Sequence, residues 1–325
     1  MDHRYRSVSG SVGARTAAGA ASDGSPAGRV RHPAHVEWPT LLVAAGVYLP
    51  IVAALAAVGS GACPWWSVTP ALAWCVAWQA SLQHEVIHGH PTPWGWANRL
   101  VAGPPLLLAI PFDRYRDSHL AHHVDERLTD PLDDPESWYV TAEAWRSACG
   151  IERGFRLAMN TLAGRVVLGP LWVLGLSILA DMRDLASARR IGLLAWHGFQ
   201  VCAVSVGLGA VGMPIWGYLI LVVWPATGLL LIRSYAEHRP SPNPAERSVI
   251  VEAAGLFDLL FLSNNLHALH HERPGLPWYV LRHAYRDGRD RILARNGGYW
   301  FASYPKMVSR YFFSLLDHPI HPSER

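Results

Sequence analysis

Residues 71–90 read ALAWCVAWQASLQHEVIHGH, an apolar stretch that is uncharged as far as Gln83 and becomes rich in histidine at its end. The uncharged run at residues 63–83, which overlaps this stretch, is long enough to be a membrane helix. His84 and His88 are four residues apart, so on a helix their imidazoles share one face. The sequence therefore predicts a membrane helix that ends in two histidines where it leaves the bilayer.

The composition is that of a membrane protein rather than of a soluble enzyme. Of the 325 residues, 50% are hydrophobic and 16% are charged, whereas about a quarter are charged in an average soluble domain. A disordered chain is excluded, and the net charge of +3 is too small for a nucleic-acid-binding surface. The chain has 17 His and 15 Trp but only four Cys, none in a Cys-x-x-Cys pair. Trp suits membrane interfaces and His suits metal sites, whereas a disulfide framework is not expected.

Four uncharged runs are long enough to cross a bilayer, which predicts an all-α integral membrane fold of two helical hairpins. The predicted spans are residues 38–59, 65–83, 191–210 and 214–232. Two shorter runs, 100–112 and 166–180, are marginal, and prolines interrupt the first. If residues 166–180 also crossed, the histidine-rich stretches would lie on opposite faces. Arg183, Arg189 and Arg190 favour the cytoplasmic side for the linker that follows, so both marginal runs are expected on or dipping into that face.

The distribution of charge predicts how the chain is divided and oriented. Residues 1–36 hold five Arg and two acids, and the rest of the chain is neutral overall. Because positive flanks stay inside, we expect a disordered cytoplasmic tail, and it has no apolar core of a secretory signal. We expect a membrane domain at residues 37–290 and a cytoplasmic extension at residues 291–325. The protein is then placed in a bacterial inner membrane, with both termini cytoplasmic.

Eight of the histidines fall into three groups, all on the face that the span count makes cytoplasmic. They are His84 and His88; His119, His122 and His123; and His267, His270 and His271. In the last two groups, a helix would point three imidazoles the same way. Such a face packs poorly and repels itself when protonated, whereas neutral imidazole is a common ligand of Fe, Zn and Cu. Eight ligands exceed what one ion takes, so the spacing predicts two metal ions in a cytoplasmic helical cap.

These boxes resemble those of the membrane fatty acid desaturase family, whose relatives include alkane hydroxylases and carotenoid ketolases. The boxes read His84-x-x-x-His88, His119-x-x-His122-His123 and His267-x-x-His270-His271. The resemblance covers roughly residues 38–285, including the four predicted spans. It implies a di-iron centre with the eight box histidines as iron ligands and with O2 as co-substrate.

The resemblance also implies a further ligand just after the last span. The segment Tyr235-Ala236-Glu237-His238 is similar to the Glu-His segment of the alkane hydroxylases, which makes His238 the ninth candidate. Asn264 or Asn265 could take its place, directly or through water. His90 and His197 are left undecided. The other histidines are interpreted as incidental: His3, His32, His35, His283, His318 and His321.

Charged residues beside the boxes are candidates to hold the ligands in position. A metal-bound His usually donates its other N–H to a carboxylate or a carbonyl. The acidic candidates are Glu85, Asp117, Asp125, Asp130, Glu237 and Glu272. The basic residues that would balance them or meet an anionic head group are Arg114, Arg116, Arg127 and Arg273.

The implied chemistry is O2-dependent attack on an unactivated C–H bond. We expect a fatty acid desaturase that introduces a double bond into an acyl chain. Alternatives are a hydroxylase or ketolase of a lipid or carotenoid, and a desaturase of a small secondary metabolite. The chain shows no haem motif of a fused cytochrome and no cysteine set for an iron–sulfur cluster. A separate ferredoxin or cytochrome with its reductase is therefore the implied electron donor.

Two other classes of protein share part of this pattern. His84-Glu85-x-x-His88 matches the His-Glu-x-x-His motif of zinc metalloproteases, in which the Glu acts as general base. An intramembrane protease would give no role to the six histidines of the second and third boxes. A metal carrier or a bis-histidine haem anchor would place single histidines on facing helices rather than doublets. The protease therefore remains only a remote alternative.

Overall fold

A computed structural model of the protein describes residues 32–184 and 188–324. Most of the predicted tail at residues 1–36, including His3, lies outside this part, as does residue 325. The described helices are α1 Trp38–Gly59, α2 Thr69–Ile87, α3 Gly95–Ala102, α4 Phe112–His122, α5 Ala142–Ser147, α6 Gly150–Met159, α7 Leu162–Asp184, α8 Ala188–Ala210, α9 Ile215–Tyr218, α10 Trp224–Ser234, α11 Leu256–Leu260, α12 His267–Glu272, α13 Trp278–Arg295 and α14 Tyr304–Tyr311. The strands are β1 Ile250–Ala253 and β2 Trp300–Ser303. Residues 219–223 join α9 to α10 in one continuous π-helical turn.

The fold is mostly helical, as predicted, and four described helices are long and apolar enough to cross a membrane. By length and composition these are Trp38–Gly59, Leu162–Arg183, Arg190–Ala210 and Ile215–Ser234. Three of them agree with predicted spans. The fourth is α7, a 23-residue helix that extends the marginal run at residues 166–180 at both ends. The expectation that this run does not cross the membrane stays a prediction. Arg165 and Asp181 bound the uncharged run, but charged side chains near helix ends do not stop a helix.

The predicted span at residues 65–83 corresponds to α2, which begins and ends about four residues later. It is less apolar than the four helices named above and is not one of them. A 3₁₀ turn at Trp65–Val68 precedes it, and Thr69 begins the helix. Gln79, Gln83 and Glu85 lower its hydropathy, yet all three are buried. Val43 and Val47 of α1 form a buried cluster with Leu82 of α2. The polar residues of α2 therefore face protein rather than lipid, where a buried polar group needs a partner.

The partners of the two glutamines are the carbonyl of Ala102, at the end of α3, and that of Pro104 in the proline-rich segment at residues 103–111. Gln79 Nε2 donates to the carbonyl oxygens of Ala102 at 3.0 Å and Pro104 at 2.7 Å, and Gln83 donates to Ala102 as well. Tyr218 and His197 donate to the carbonyls of Leu106 and Leu108 at 2.9 Å. Residues 103–111 form no α-helix, and these backbone carbonyls are hydrogen-bonded within the protein. That this segment lies on or dips into the cytoplasmic face stays a prediction.

The long helices meet in pairs at the end of the molecule opposite the histidines. Val211, after α8, packs against Gly59 at the end of α1. The ring of Trp65, which precedes α2, contacts that of Trp216 in α9 with centroids 5.5 Å apart. The ends of α1 and α8 and the starts of α2 and α9 therefore lie together, while the other ends of α2 and α10 lead to the histidines.

Both ends of α7 contact parts of the chain that lead into the histidine boxes. Near its start, the Arg165 guanidinium lies 5.5 Å from the ring of Tyr235, which is just ahead of His238. Near its end, Asp181 accepts hydrogen bonds from Arg114, five residues before His119. Both ends of α7 therefore lie near chain segments that carry histidine boxes.

A two-stranded parallel sheet, which the all-α prediction lacked, joins the C-terminal part of the chain to the histidine end. Ile250 of β1 is paired with Trp300 of β2. His321 donates its backbone N–H to the carbonyl of Val140. Residues after 290 therefore pack on the body of the protein, and the boundary at 290 stays a prediction.

Candidate metal centre

Nine histidines from four places in the chain lie together in two groups. We call them the five-histidine group, His84, His88, His119, His123 and His270, and the four-histidine group, His122, His238, His267 and His271. Within each group the ligand atoms lie within 4.8 Å of one another. These are the nine residues predicted as ligands, and the structure brings all of them together.

Local structure explains why each box contributes side chains to the groups. His84 and His88 lie at the end of α2, and the helix α4, which follows Pro111, ends at His122. On α4 the box is split, because His119 and His123 face one group and His122 faces the other. The box on α12 is split likewise, with His270 in one group and His267 and His271 in the other. The two groups thus share two short helices as their common wall.

In the five-histidine group the imidazole nitrogens converge at distances that hydrogen bonds do not explain. His119 Nε2 lies 3.1 Å from His88 Nε2 and 3.0 Å from His123 Nε2. His123 Nε2 is in turn 3.1 Å from His270 Nε2. A ring nitrogen carries at most one hydrogen, so such a chain of contacts leaves lone pairs facing one another. Ligands about 2.1 Å from one ion and at right angles around it would lie about 3.0 Å apart, so the donor set fits a metal ion.

The four-histidine group shows the same convergence, and the hydrogen positions there are defined by neighbours. His122 Nδ1 donates to Asp134 Oδ1 at 2.9 Å, and His267 Nδ1 donates to Asn264 Oδ1 at 2.9 Å. The lone pairs of both rings are therefore on Nε2. These two atoms lie 2.9 Å and 3.0 Å from His238 Nε2. Three imidazole nitrogens that face one point in this way fit a cation between them.

The charges around the two groups differ. Burial lowers the pKa of His123 and His270 well below the ordinary value, and the neighbouring imidazoles lower it further. Burial acts in the same direction on His122, but Glu136 and Asp134 raise its pKa to about 9. The raised pKa of His122 sets it apart, since burial lowers the pKa of His238 and His267 in its own group well below the ordinary value.

Three side chains that orient the ligands were missed by the sequence analysis. Asp134 is buried and accepts hydrogen bonds from His122 and from the backbone N–H of Thr129 and Glu136. Glu136 Oε1 lies 3.4 Å from His119 Nδ1, and Ser248 Oγ lies 3.2 Å from His238 Nδ1. Asp134 and Glu136 lie in an irregular loop after the second box. A loop has no periodic spacing from which the sequence could predict that these side chains reach the ligands. Ser248 reaches His238 through an isolated bridge between the two residues.

Most of the predicted neighbouring charges do not contact the ligands. Glu237 Oε1 does, at 3.6 Å from His267 Nδ1, and Glu85 Oε1 is 3.8 Å from His84 Nδ1. The others pair elsewhere: Asp117 with Arg116, Asp130 with the backbone of residues 132 and 133, Glu272 with Arg273, Arg291 and Arg295, and Arg114 with Asp181. The side chain of Asp125 lies outside the described part, and Arg127 is exposed.

The two undecided histidines fall outside both groups. His90 Nδ1 contacts both carboxylate oxygens of Glu37 at 2.8 and 2.9 Å, and His197 donates to a backbone carbonyl. Asn264 Nδ2 lies 3.4 Å from His84 Nε2, so it touches one group while orienting His267 of the other. Asn265 instead donates to the carbonyl of Val251. His238, rather than either asparagine, is the ninth member of the groups.

The model of one protein family, the fatty acid desaturases, matches residues 61–303. The chain belongs to the fatty acid desaturase family. The match covers α2 through β2 and thus includes every member of both histidine groups. No curated protein matches the chain. The predicted resemblance is confirmed, and the family is known for di-iron use.

Membership in the desaturase family also bears on the protease alternative. In this desaturase-family chain His84 and His88 share their group with three further histidines. Glu85, which would be the general base of a protease, is buried, and its Oε2 accepts a hydrogen bond from the backbone N–H of Trp278 at 3.2 Å. The His-Glu-x-x-His match is therefore part of a larger set of histidines.

Removing one histidine from each group tests whether both bind metal. We expect His270→Ala and His122→Ala each to lower bound iron, from about two ions per chain to about one or fewer, because a group loses a ligand. The measurement is elemental analysis of the purified protein. His283→Ala, an exposed position, is the control and should keep the iron. Full iron content in either ligand variant would contradict the assignment.

Asp134 and the exposed Asp133 beside it offer a matched pair of variants. We expect Asp134→Asn to weaken metal affinity by about tenfold or more, because the amide can no longer accept from both His122 and Thr129. Asp133→Asn should leave the affinity unchanged. Competition with a chelator measures both, and equal affinities for the two variants would rule out an orienting role for Asp134.

Proposed function

We propose that the protein is an O2-dependent di-iron oxidoreductase that introduces a double bond into an acyl chain. The observation that carries the proposal is the division of nine histidines into two converging groups. It occurs in a chain of the fatty acid desaturase family. The nine histidines are the proposed iron ligands.

The reaction needs two electrons from outside the protein. Removing two hydrogens from adjacent carbons supplies two electrons, whereas reducing O2 to two waters takes four. The balance is therefore O2, two protons, two electrons and a –CH2–CH2– unit, which give –CH=CH– and two waters. Two iron ions bound by the histidines would supply the O2 reduction and C–H oxidation. A separate ferredoxin or cytochrome with its reductase is the proposed source of the two electrons.

The protein's own residues would orient the ligands and exclude water. Asp134 and Asn264 direct the hydrogens of His122 and His267 onto Nδ1, which leaves Nε2 free to bind. The imidazoles of His84, His267 and His270 are each only 2% exposed. Such burial keeps bulk water away from a reactive centre and strengthens the interactions inside it.

A cavity beside α4 supports an amphiphilic substrate. Its volume is about 400 Å³, and it lies between the proline-rich segment and α8. Phe112, Leu193 and Trp196 contribute apolar walls, while Arg99 and Arg190 contribute charge at the same cavity. Apolar walls with a few polar groups suit an acyl chain with a polar head. Phe112 begins α4, and His119 lies near the other end of the same helix, so one helix connects the cavity wall with the five-histidine group.

We further propose that the chain crosses the bacterial inner membrane four times, through α1, α2, α8 and the continuous α9–α10 helix. The contacts of Gly59 with Val211 and of Trp65 with Trp216 support two hairpins whose turns lie together. The contacts at both ends of α7 support its lying along the histidine end rather than crossing. The boxes, the helical cap and both termini are then cytoplasmic.

Reporter fusions test this topology. We expect fusions after residues 60 and 212 to report the outside, and a fusion after residue 185 to report the cytoplasm. The reason is that α7 has both ends at the histidine face. An outside signal at 185 would show that α7 crosses and would overturn the four-span arrangement.

The reaction is tested by comparing the lipids and metabolites of a host with and without the protein, with a reductase supplied. We expect a new double bond in an acyl chain, detected by mass spectrometry as a loss of two hydrogens. The His270→Ala variant is the control and should give no product. A new oxygen in the product would instead indicate a hydroxylase or ketolase, and a desaturated small metabolite would contradict the acyl substrate.

A further inference from the structure

Three arginines meet at a single carboxylate on the polar surface of the histidine end. Arg273 Nε, Arg291 Nη1 and Arg295 Nη1 lie 3.8, 3.0 and 3.3 Å from the carboxylate oxygens of Glu272. The three arginine side chains are about half exposed, whereas the Glu272 side chain is 14% exposed. We call these four residues the Glu272 arginine cluster.

The cluster differs from the other ion pairs of α13 in its excess of positive charge. On the same helix Arg282 pairs with Asp258 and Arg289 pairs with Glu252, so each has its own acid. In the Glu272 arginine cluster one acid is shared by three bases, which leaves two positive charges in excess. Each guanidinium offers five N–H donors in a fixed geometry, and one shared carboxylate can accept only some of them.

The cluster lies beside His271, a proposed iron ligand that lines a depression in the protein surface. A surface depression is lined by Pro244, Ala245, Ala268, His271, Glu272 and Arg295, among others. His271 belongs to the four-histidine group and is 8% exposed, so its ring separates that group from the depression. An electron arriving at this surface would meet an imidazole that belongs to the centre itself.

We propose that the Glu272 arginine cluster and the depression beside it are the docking surface for an acidic one-electron carrier protein. This rests on the proposed function, since the reaction needs two external electrons. Each docked carrier is oxidised by one electron, and two successive carriers supply the two that one turnover consumes. Charge complementarity identifies the partner, because an excess of exposed guanidinium attracts a carboxylate-rich surface and accelerates encounter.

The test uses an acidic [2Fe–2S] ferredoxin as the probe and measures its dissociation constant for the metal-loaded protein. We expect the double variant Arg291→Glu/Arg295→Glu to raise that constant about tenfold or more at low salt, because two attractions become repulsions. Arg286→Glu, an exposed position on the same helix, is the matched control and should change it little. Wild-type binding should weaken as salt is added, and the double variant should lose most of that dependence.

A second variant acts in the opposite direction. Glu272→Gln removes the shared negative charge without changing the size of the side chain, so ferredoxin should bind more tightly than to the wild type. A folding defect would weaken binding instead, so tighter binding supports docking at the cluster. Equal dissociation constants for the wild type, the double variant and Glu272→Gln would overturn the proposal.

Dithionite separates the docking surface from the reaction. With dithionite in place of ferredoxin, the double variant should form product at the wild-type rate, because a small reductant needs no docking. Loss of that product would show that the arginines support the centre itself and would overturn the docking role. Absence of product from the wild type with dithionite would overturn the proposed function, while the ferredoxin dissociation constants would still decide the docking surface.

Discussion

The structure depends on one electrostatic constraint, the convergence of nine imidazoles in two buried groups. Lone pairs that face one another at about 3 Å need a cation between them, and burial makes protons a poor choice for most of these rings. Two short helices, α4 and α12, serve both groups at once: on each, the two histidines four residues apart enter one group and the histidine between them enters the other. The common face that the sequence predicted for all three rings is therefore divided between the two groups. The two centres are thus coupled through shared backbone, which favours their acting as a pair.

The composition of α2 reflects its role in positioning the histidines. The helix α2 carries buried Gln79 and Gln83, which a lipid-facing helix would not tolerate. Their amides hold the carbonyls of the proline-rich segment, and that segment leads into α4 and its histidines. The low hydropathy of α2 and the irregular backbone between α3 and α4 are therefore linked. The polar side chains of the one donate hydrogen bonds to the carbonyls of the other, so that these polar groups are not exposed to lipid.

The histidine end would offer separate surfaces to the proposed substrate and to the proposed electron donor. The cavity between the proline-rich segment and α8 combines apolar walls with arginines, which suits an amphiphile arriving from the membrane side. The depression beside His271 is surrounded by polar helix and carries excess guanidinium, which suits a soluble acidic protein. Substrate and electrons would then approach from separate directions, so that neither blocks the other.

The sequence by itself determined eight of the nine candidate ligands and three of the four membrane-length helices, because histidine spacing and uncharged runs are local patterns. The ninth candidate, His238, came from the resemblance of its segment to that of the alkane hydroxylases. The sequence did not determine the length of α7, since Arg165 and Asp181 ended the uncharged run without ending the helix. It also missed Asp134, Glu136 and Ser248, which reach the ligands through irregular loops. Only the tertiary structure decided which histidine joins which group, because that assignment depends on how helices from distant parts of the chain are packed, and no spacing along one segment contains that information.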